Sequence, residues 1–408
     1  MQDVSFHMKF AITTLGCKVN QYESQLIREA LKAGGYDEQD FSLPGADLYI
    51  INTCTVTHRS DAEDRRLMRK ALAFSSRIIV TGCQAAVYPG EIRGLSERIE
   101  TVPFDQLESV LGVPFPKSIT DFADHSRAFV NIQQGCDNRC TFCIVPSARG
   151  TPRSRPLEEI IHEISRLFDS GFREIVLTGI NIGLYDGGIP ALMRKILERT
   201  PMPRVRISSI EPWTLTSELI SMAVNEPRIC RHLHLPLQSG SDEILSRMGR
   251  PYQAGYYRDL VSEIRSSSRD IAIGSDIMVG FPGESEEQFR ETFSLLEDLD
   301  IAYLHVFPFS PRPGTPAASY PGQVDARIVK DRASRLRNLS KDKRRSFIRS
   351  QIGKPEEVLV THSSGNSFKG ITSNYITVEA QGKAEVNDRV KIVFEESCEG
   401  YARGRTLG

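Results

Sequence analysis

Three cysteines, Cys136, Cys140 and Cys143, stand close enough in the sequence to bind one metal centre. Their spacing, C-x3-C-x2-C, is asymmetric and stops at three cysteines. A structural zinc site usually has four protein ligands, and an ordinary [4Fe–4S] cluster is also held by four thiolates. Three thiolates on one loop leave one iron open to a small molecule that carries an amine and a carboxylate. A zinc site or three unrelated thiols remain the alternatives.

Three further cysteines, Cys17, Cys54 and Cys83, each follow a predicted strand. The strands are predicted at 8–14, 47–51 and 77–80, with helices at about 21–33 and 60–74 between them. This β-α-β-α-β pattern predicts a parallel sheet with helices on its faces. Because the carboxyl ends of parallel strands share one edge, we expect these thiols to converge on a second three-cysteine iron–sulfur cluster. Three buried, inert cysteines are the alternative.

The pattern of strands and helices changes twice along the chain. After a break near Pro114–Pro116, six strands alternate with helices, which predicts a partial (β/α)6 barrel with its site at the carboxyl ends of the strands. Those strands are predicted at 128–133, 174–178, 204–208, 232–235, 271–279 and 302–307. Residues 355–408 instead contain short alternating strands, predicted at 358–361, 375–378 and 389–393, which indicate a small OB-like β-barrel.

Several of these motifs resemble a known family. C-x3-C-x2-C after a strand resembles the radical-SAM signature, and the C-terminal segment resembles a TRAM domain. The N-terminal motifs at 14–24, 51–57 and 81–83 resemble the methylthiotransferases, and Leu15-Gly-Cys-Lys-Val-Asn-Gln-Tyr-Glu23 is most similar to the MtaB type. The resemblance implies an α/β fold with a methylthiotransferase N-terminal domain at 8–120, a radical-SAM core at 122–350 and a TRAM-like domain at 351–408.

The resemblance also implies an activity. Enzymes of this type convert N6-threonylcarbamoyladenosine, next to the anticodon of tRNA, to its 2-methylthio derivative. Two [4Fe–4S] clusters and S-adenosylmethionine are the implied cofactors: one cluster generates the radical that removes hydrogen from adenine C2, and the other delivers sulfur. Related enzymes modify isopentenyladenosine in tRNA or an aspartate of ribosomal protein S12. A non-catalytic iron–sulfur or RNA-binding module is the alternative from another class.

Particular residues acquire expected roles from the same resemblance. Six residues are expected to contact S-adenosylmethionine: Thr178, Gly179, Glu211, Gln238, Asp276 and Gly280. A structural hydrogen bond is the alternative for each polar residue among them. Arg149, six residues past Cys143, is expected to neutralise cluster or cofactor charge, with a surface salt bridge as the alternative.

Composition limits the partners. The net charge is −1, so any surface for nucleic acid must be local. The stretch 330–354 holds ten basic against two acidic side chains. Such a helix attracts phosphates, and we expect Lys343, Arg344 and Arg345 to bind tRNA, with a solvated helix face as the alternative. Positions 355–408 hold six basic against eight acidic residues, which is an unusual balance for an RNA-binding domain.

The location and the remaining partners follow from the cysteines and the implied chemistry. Eight cysteines without a secretion signal predict a cytoplasmic protein that uses them for metal chemistry. No apolar run approaches about eighteen residues, so no membrane span is expected. The implied reaction also requires a reductant, such as flavodoxin or ferredoxin, and a sulfur donor.

Overall fold

A five-stranded parallel sheet begins the computed structural model, which describes residues 8–74, 77–123 and 125–407. Its strands are β1 (Lys9–Thr14), β2 (Asp37–Glu38), β3 (Leu48–Thr53), β4 (Arg77–Gly82) and β5 (Ile99–Thr101). Its helices are α1 (Lys18–Ala33), α2 (His58–Phe74), α3 (Cys83–Val87), α4 (Pro89–Arg93) and α5 (Leu107–Leu111). The strand order is β2-β1-β3-β4-β5, and every residue of β3 is buried because apolar side chains pack on both faces of the sheet. Thr14 pairs with Asn52 and Thr53 with Gly82, so the ends of these strands are level.

Six parallel strands then form an open, curved barrel, as predicted. They are β6 (Ala128–Gln134), β8 (Glu174–Gly179), β9 (Arg204–Ile207), β10 (His232–His234), β11 (Ala272–Val279) and β12 (Tyr303–Pro308), and a short β7 (Arg153–Ser154) pairs with β6 in antiparallel fashion. Single bridges between Val205 and Ile229 and between Ser209 and His234 join β9 to β10. Strands β6 and β12 are the first and last of the six parallel strands, and the short β7 lies on the outer side of β6.

The helices of this part cover the outside of the barrel or shape its loops. They are α6 (Val145–Arg149), α7 (Leu157–Asp169), α8 (Ile189–Arg199), α9 (Ser217–Asn225), α10 (Asp242–Arg247), α11 (Ala254–Ser267), α12 (Glu286–Asp298) and α13 (Ala326–Arg349). The basic helix α13 begins four residues before the predicted charge run because the Asp325 side chain caps its N-terminus. It packs along β12, where the Ser340 hydroxyl bonds both backbone groups of Leu304.

A closed five-stranded barrel ends the chain, which confirms the predicted fold class. Its strands are β13 (Pro355–Ser364), β14 (Ser367–Thr372), β15 (Thr377–Gln381), β16 (Arg389–Ser397) and β17 (Ala402–Thr406), in the order β13-β14-β15-β17-β16. The sequence predicted three of these strands and missed β14 and β17. Buried Arg206 anchors this barrel to the core by donating to the carbonyls of Thr372 and Ser373, at 3.0 and 2.9 Å.

Two further predictions concern the chain as a whole. The boundaries after residues 120 and 350 stay predictions. Every helix in the described ranges is too short or too polar to span a bilayer.

Candidate active site

The three N-terminal cysteines lie at the carboxyl edge of the first sheet. Cys17 is the N-cap of α1, Cys54 directly follows β3, and Cys83 begins α3 after β4. Gly16 has φ +108°, and a Cβ added to it would fall 2.8 Å from the Cys54 Cβ. Only glycine allows the two loops to approach so closely. The structure therefore brings these three cysteines, which we call the N-terminal triad, to one edge.

Arg149 reaches the N-terminal triad from the barrel. Its Nε lies 3.3 Å from Cys83 Sγ, and its Nη2 donates to Asn20 Oδ1 at 2.7 Å. The same guanidinium forms an ion pair with Glu23, in which both side chains are nearly inaccessible to solvent. Arg149 ends α6, six residues after Cys143. It is thus a buried contact to the N-terminal triad from the helix that follows Cys143, and not a surface salt bridge.

The environment of the N-terminal triad suits thiolates bound to a cation. Burial raises the pKa of the Cys54 thiol to about 12, and burial also raises the pKa of Cys83. Such thiols ionise only if positive charge lies beside them. Iron would supply that charge, and the Arg149 guanidinium adds to it. All eight cysteines are free, so this donor set fits a three-cysteine iron–sulfur cluster.

The loop after Cys54 is held by two distant groups. The Cys54 N–H donates to Asp64 Oδ2 at 3.2 Å. Arg312, which follows β12, donates to the Thr55 carbonyl at 3.2 Å and pairs with Asp61 Oδ2 at 2.5 Å. The Arg312 side chain is 2% exposed. Sequence reasoning missed Arg312, because nothing near it in the chain indicates a partner 251 residues away.

Cys136, Cys140 and Cys143, which we call the barrel triad, lie on the loop after β6. Gly135 turns the chain into this loop with φ +75°, where a Cβ would fall 2.0 Å from the Thr151 carbonyl oxygen. Burial raises the pKa of all three thiols, and that of Cys143 to about 12. The thiols again need an adjacent cation to ionise, so the donor set fits a second iron–sulfur cluster.

Arg250 is the cation beside the barrel triad. Its Nη1 lies 3.4 Å from Cys140 Sγ, and it forms an ion pair with Glu211, one of the predicted cofactor residues. The Trp213 ring packs on the guanidinium, with 4.6 Å between the Arg250 Cζ and the ring centre. Glu211 is therefore connected to Cys140 through Arg250. The sequence offered no pattern that singled out Arg250.

A cavity of about 230 Å³ opens beside Cys143, and we call it the Cys143 cavity. Gln238 and Asp276 line it, together with apolar side chains that include Met278 and Phe309. Gln238 has φ +71°, and its N–H donates to the Asp276 carbonyl at 2.8 Å. Two of the six predicted cofactor residues thus face the same space as a cysteine of the barrel triad.

Three other predicted cofactor residues stand away from the described lining of the Cys143 cavity. Thr178 and Gly179 end β8, where a Cβ on Gly179 would fall 2.8 Å from the Gln133 carbonyl oxygen of the neighbouring strand. Gly280 donates its N–H to Glu284 Oε2 at 2.7 Å, and a Cβ on it would fall 2.4 Å from Val329 Cγ2. These glycines allow close packing of a strand and of α13, respectively.

Asp276 belongs to a hydrogen-bonded chain of aromatic residues. Its Oδ1 lies 2.9 Å from His234 Nε2 and 3.3 Å from His305 Nδ1. The Tyr303 hydroxyl lies 3.1 Å from His234 Nδ1 and 2.8 Å from His232 Nε2. Although burial opposes ionisation, hydrogen bonds from His234 and His305 hold the pKa of Asp276 well below its usual range. Asp276 is therefore a fixed carboxylate.

The three residues expected to bind tRNA have different surroundings. Lys343 Nζ donates to the carbonyls of Glu297 and Leu299, at 3.1 and 2.6 Å, where α12 ends. Arg344 is half-buried and donates to the Tyr375 carbonyl at 2.5 Å. Arg345 is exposed and lines a groove of about 360 Å³ with Lys341 and other residues of the core and the C-terminal barrel.

Comparison with known proteins gives matches over nearly the whole chain. The radical SAM superfamily model matches residues 130–296, and the model of uncharacterized protein family UPF0004 matches residues 9–102. The threonylcarbamoyladenosine tRNA methylthiotransferase MtaB of Bacillus subtilis is 36% identical over 441 residues, covering 99% of this chain and 96% of that protein. The tRNA-2-methylthio-N(6)-dimethylallyladenosine synthase of Anaplasma marginale is 33% identical over 428 residues, covering 96% and 91%.

Among solved structures, the chain resembles the radical S-adenosylmethionine methyltransferase TsrM of Kitasatospora setae, with cobalamin and a [4Fe–4S] cluster bound. The TM-score is 0.56 at 17% sequence identity, and the match covers 77% of each chain. At this identity the likeness shows a shared fold.

Proposed function

Because this chain belongs to the radical-SAM methylthiotransferase family of tRNA-modifying enzymes, we propose that its two cysteine triads act on one nucleoside held between them. The enzyme converts N6-threonylcarbamoyladenosine in tRNA to the 2-methylthio derivative. Its cofactors are two [4Fe–4S] clusters and S-adenosylmethionine. Assignment of each triad to its own part of this reaction is our proposal.

The observation that carries the proposal is the position of Arg149. It lies on the loop of the barrel triad, yet its Nε is 3.3 Å from Cys83 Sγ of the N-terminal triad. A reaction that removes hydrogen from a carbon and then attaches sulfur to it requires both sources beside that carbon. The Arg149 contact supports the proposal, because it joins the segment that follows the barrel triad to the N-terminal triad.

The residues of the two triads would have separate roles in this reaction. Cys136, Cys140 and Cys143 would hold the cluster that binds S-adenosylmethionine, and the N-terminal triad would hold the cluster that carries sulfur. When bound, these groups supply hydrogen abstraction at adenine C2, the sulfur atom and the methyl group. Arg250 and Arg149 each donate to one thiol sulfur and so would stabilise the negative charge of the thiolates when a cluster is bound.

The Cys143 cavity is the proposed site of S-adenosylmethionine. Gln238 and Asp276 are positioned to bond its polar groups, and the apolar lining suits the rest of the molecule. Glu211 would act on the cofactor region through Arg250. Thr178, Gly179 and Gly280 keep their expected roles as proposals, although their nearest contacts are with neighbouring strands and α13.

Several partners are needed to complete the reaction. The groove containing Arg345 and Lys341 is the proposed contact for tRNA phosphates. The other proposed partners are a reductant, such as flavodoxin or ferredoxin, and a sulfur donor. A cytoplasmic location follows from these partners.

The test is the product. The protein, with its clusters reconstituted anaerobically, is incubated with reductant, a sulfur source, S-adenosylmethionine and tRNA that carries N6-threonylcarbamoyladenosine, and the tRNA is then digested to nucleosides. We expect the 2-methylthio derivative from the unaltered protein and from Cys398→Ala, whose cysteine lies outside both triads. Cys143→Ala should yield none. A methylthio product from isopentenyladenosine tRNA alone would overturn the proposed substrate.

A further inference from the structure

A second cavity, of about 220 Å³, is lined by residues of the barrel strands β8 to β12 together with Lys18, Arg127 and Tyr375, and we call it the mouth cavity. All three parts of the chain line it: Lys18 of α1, Arg127 and Arg206 of the core, and Tyr375 of the C-terminal barrel. Asp276 lines both this cavity and the Cys143 cavity, and so does Phe307. Lys18 also directly follows Cys17 of the N-terminal triad. The mouth cavity is therefore beside both cysteine sites.

The charge of the mouth cavity is predominantly positive. Behind its wall, the buried Glu174 carboxylate is shared by three arginines: Arg204 and Arg206 at 2.7 Å each, and Arg127 at 3.5 Å. Arg204 lies outside the lining of the mouth cavity and also interacts with Glu356. Arg127 and Arg206, in contrast, line the cavity and share the one Glu174 carboxylate, which cannot neutralise both. The charge that remains is felt strongly in a partly desolvated space.

Lys18 adds to this excess. Its side chain is exposed, its Nζ lies 6.0 Å from the centre of the Phe129 ring, and no carboxylate in the described ranges forms an ion pair with it. Arg127 is partly exposed, at 23%; its one ion pair within the described ranges is the long contact with Glu174, and its guanidinium lies 6.0 Å from the centre of the Tyr375 ring. Asp276, the carboxylate in the lining, is already bonded to His234 and His305. Lys18 and Arg127 are thus the cations available to a ligand.

We propose that the mouth cavity binds the free carboxylate of the threonylcarbamoyl group, with Lys18 and Arg127 as its charge partners. This inference rests on the proposed function, which supplies the substrate. The group is attached at N6 of adenine, and both the carbon that bears N6 and the reacting C2 are neighbours of ring atom N1. N6 and C2 therefore lie on the same side of the adenine ring. With the carboxylate held in the mouth cavity, C2 would face the adjoining Cys143 cavity.

The same cations select against other nucleosides. A dimethylallyl group on N6 is an uncharged hydrocarbon and cannot pair with Lys18 or Arg127. Such a substrate would desolvate both cations without compensation, so the cavity favours the anionic substituent by attraction and disfavours the apolar one by its unpaired charge.

The experiment removes the carboxylate charge from the RNA and, separately, the positive charge of Lys18 or Arg127 from the protein. Three stem–loop RNAs of one sequence are compared: one with N6-threonylcarbamoyladenosine, one with its carboxylate as the methyl ester, and one with unmodified adenosine. Dissociation constants are measured with the cluster-loaded protein and with its Lys18→Met, Lys18→Arg and Arg127→Gln variants. Iron content shows that each variant retains its clusters.

We expect Lys18→Met to weaken binding of the threonylcarbamoyl RNA by about tenfold. The ester should bind the unaltered protein about as weakly, and Lys18→Met should not weaken ester binding further, because the pair is already broken. Lys18→Arg should restore affinity, and Arg127→Gln should show the same selectivity for the charged RNA.

Equal weakening for all three RNAs, with a salt slope lower by about one unit, would assign Lys18 to a backbone phosphate and overturn the proposal. Unchanged affinities would also overturn it. Because binding is measured without turnover, failure of the proposed function is seen separately, as absence of the methylthio nucleoside from the unaltered protein.

Discussion

The two cysteine triads are built in different ways, although each has an arginine beside one sulfur. The barrel triad lies on one loop, and its cation, Arg250, comes from the same barrel. The N-terminal triad is assembled from the ends of three strands, and its cation, Arg149, comes from the other part of the chain. One arginine donates to one sulfur at each site, at 3.4 and 3.3 Å.

From this difference we expect the two sites to depend on each other unequally. The barrel triad has its thiols and its arginine within the barrel. The N-terminal triad needs Arg149, and its Cys54 loop is also held by Arg312. Tyr22 of α1 donates to buried Glu163 at 2.8 Å, which strengthens the same interface. Loss of the barrel contacts should therefore disturb the N-terminal triad more than the reverse.

The largest expected effect tests whether the triads are separate sites. Replacing Cys136, Cys140 and Cys143 together with Ala should remove about half the iron and abolish cleavage of S-adenosylmethionine, because three of the six proposed ligands are lost. Iron analysis and chromatography of 5′-deoxyadenosine measure the two outcomes. Loss of all iron in a folded protein would contradict two independently bound clusters.

Removal of one ligand of the N-terminal triad should separate cleavage of S-adenosylmethionine from formation of the methylthio nucleoside. Cys54→Ala should still form 5′-deoxyadenosine, since the barrel triad is intact, but it should make no methylthio nucleoside because no site holds the sulfur. Cys398→Ala is the matched control for an altered cysteine elsewhere. A folded Cys54→Ala protein that still forms the methylthio product would refute the division of labour.

The two arginines provide a finer comparison. Arg149→Met should lower methylthio product by about 10- to 100-fold, the usual cost of losing a group that supports metal ligands, and lower 5′-deoxyadenosine by much less. Arg250→Met should lower both together, because hydrogen abstraction precedes sulfur attachment. Product ratios from single-turnover reactions distinguish these patterns.

Arg149→Met also leaves Glu23 buried without its partner, which destabilises proteins by about 3–5 kcal/mol. The double variant Arg149→Met/Glu23→Gln controls for that effect by thermal unfolding. If Arg149→Met reduced both outputs equally in the stabilised background, the proposed asymmetry between the triads would be wrong.

The smallest expected effect concerns the binding of tRNA by residues of α13. Arg345→Ser should weaken tRNA binding several-fold and reduce the log–log salt slope by about one unit. Lys343→Ser should leave the slope unchanged and cost about 0.3–1 kcal/mol of stability, because Lys343 caps the end of α12. Dissociation constants for tRNA, measured over a series of salt concentrations, compare the two variants. A lower salt slope for Lys343→Ser but not for Arg345→Ser would assign the phosphate contact to Lys343 instead.

The architecture could be predicted from the sequence, and the spacing of the cysteines singled out six candidate ligands. A parallel sheet follows from alternation of strands and helices, and its shared edge explains why Cys17, Cys54 and Cys83 meet although they are far apart in the chain. The six strands of the barrel were predicted for the same reason. Strands β14 and β17 were missed because each has a glycine in its interior, Gly370 and Gly404, which weakens the strand pattern, and pairing with neighbours on both sides defines them.

Which charged groups lie beside the thiols and beside Asp276 depends on the packing of elements that are distant in the chain. Arg250 and Arg312 lie in stretches without a local pattern, and the strand pattern around His305 does not single out that residue; folding brings their partners to them. Likewise, the charge run of α13 could not reveal that Lys343 caps a helix while Arg345 faces solvent. Local periodicity determines where a strand ends and a loop begins. The packing of distant elements determines which side chains that loop meets, because desolvation forces each buried charge to find a partner.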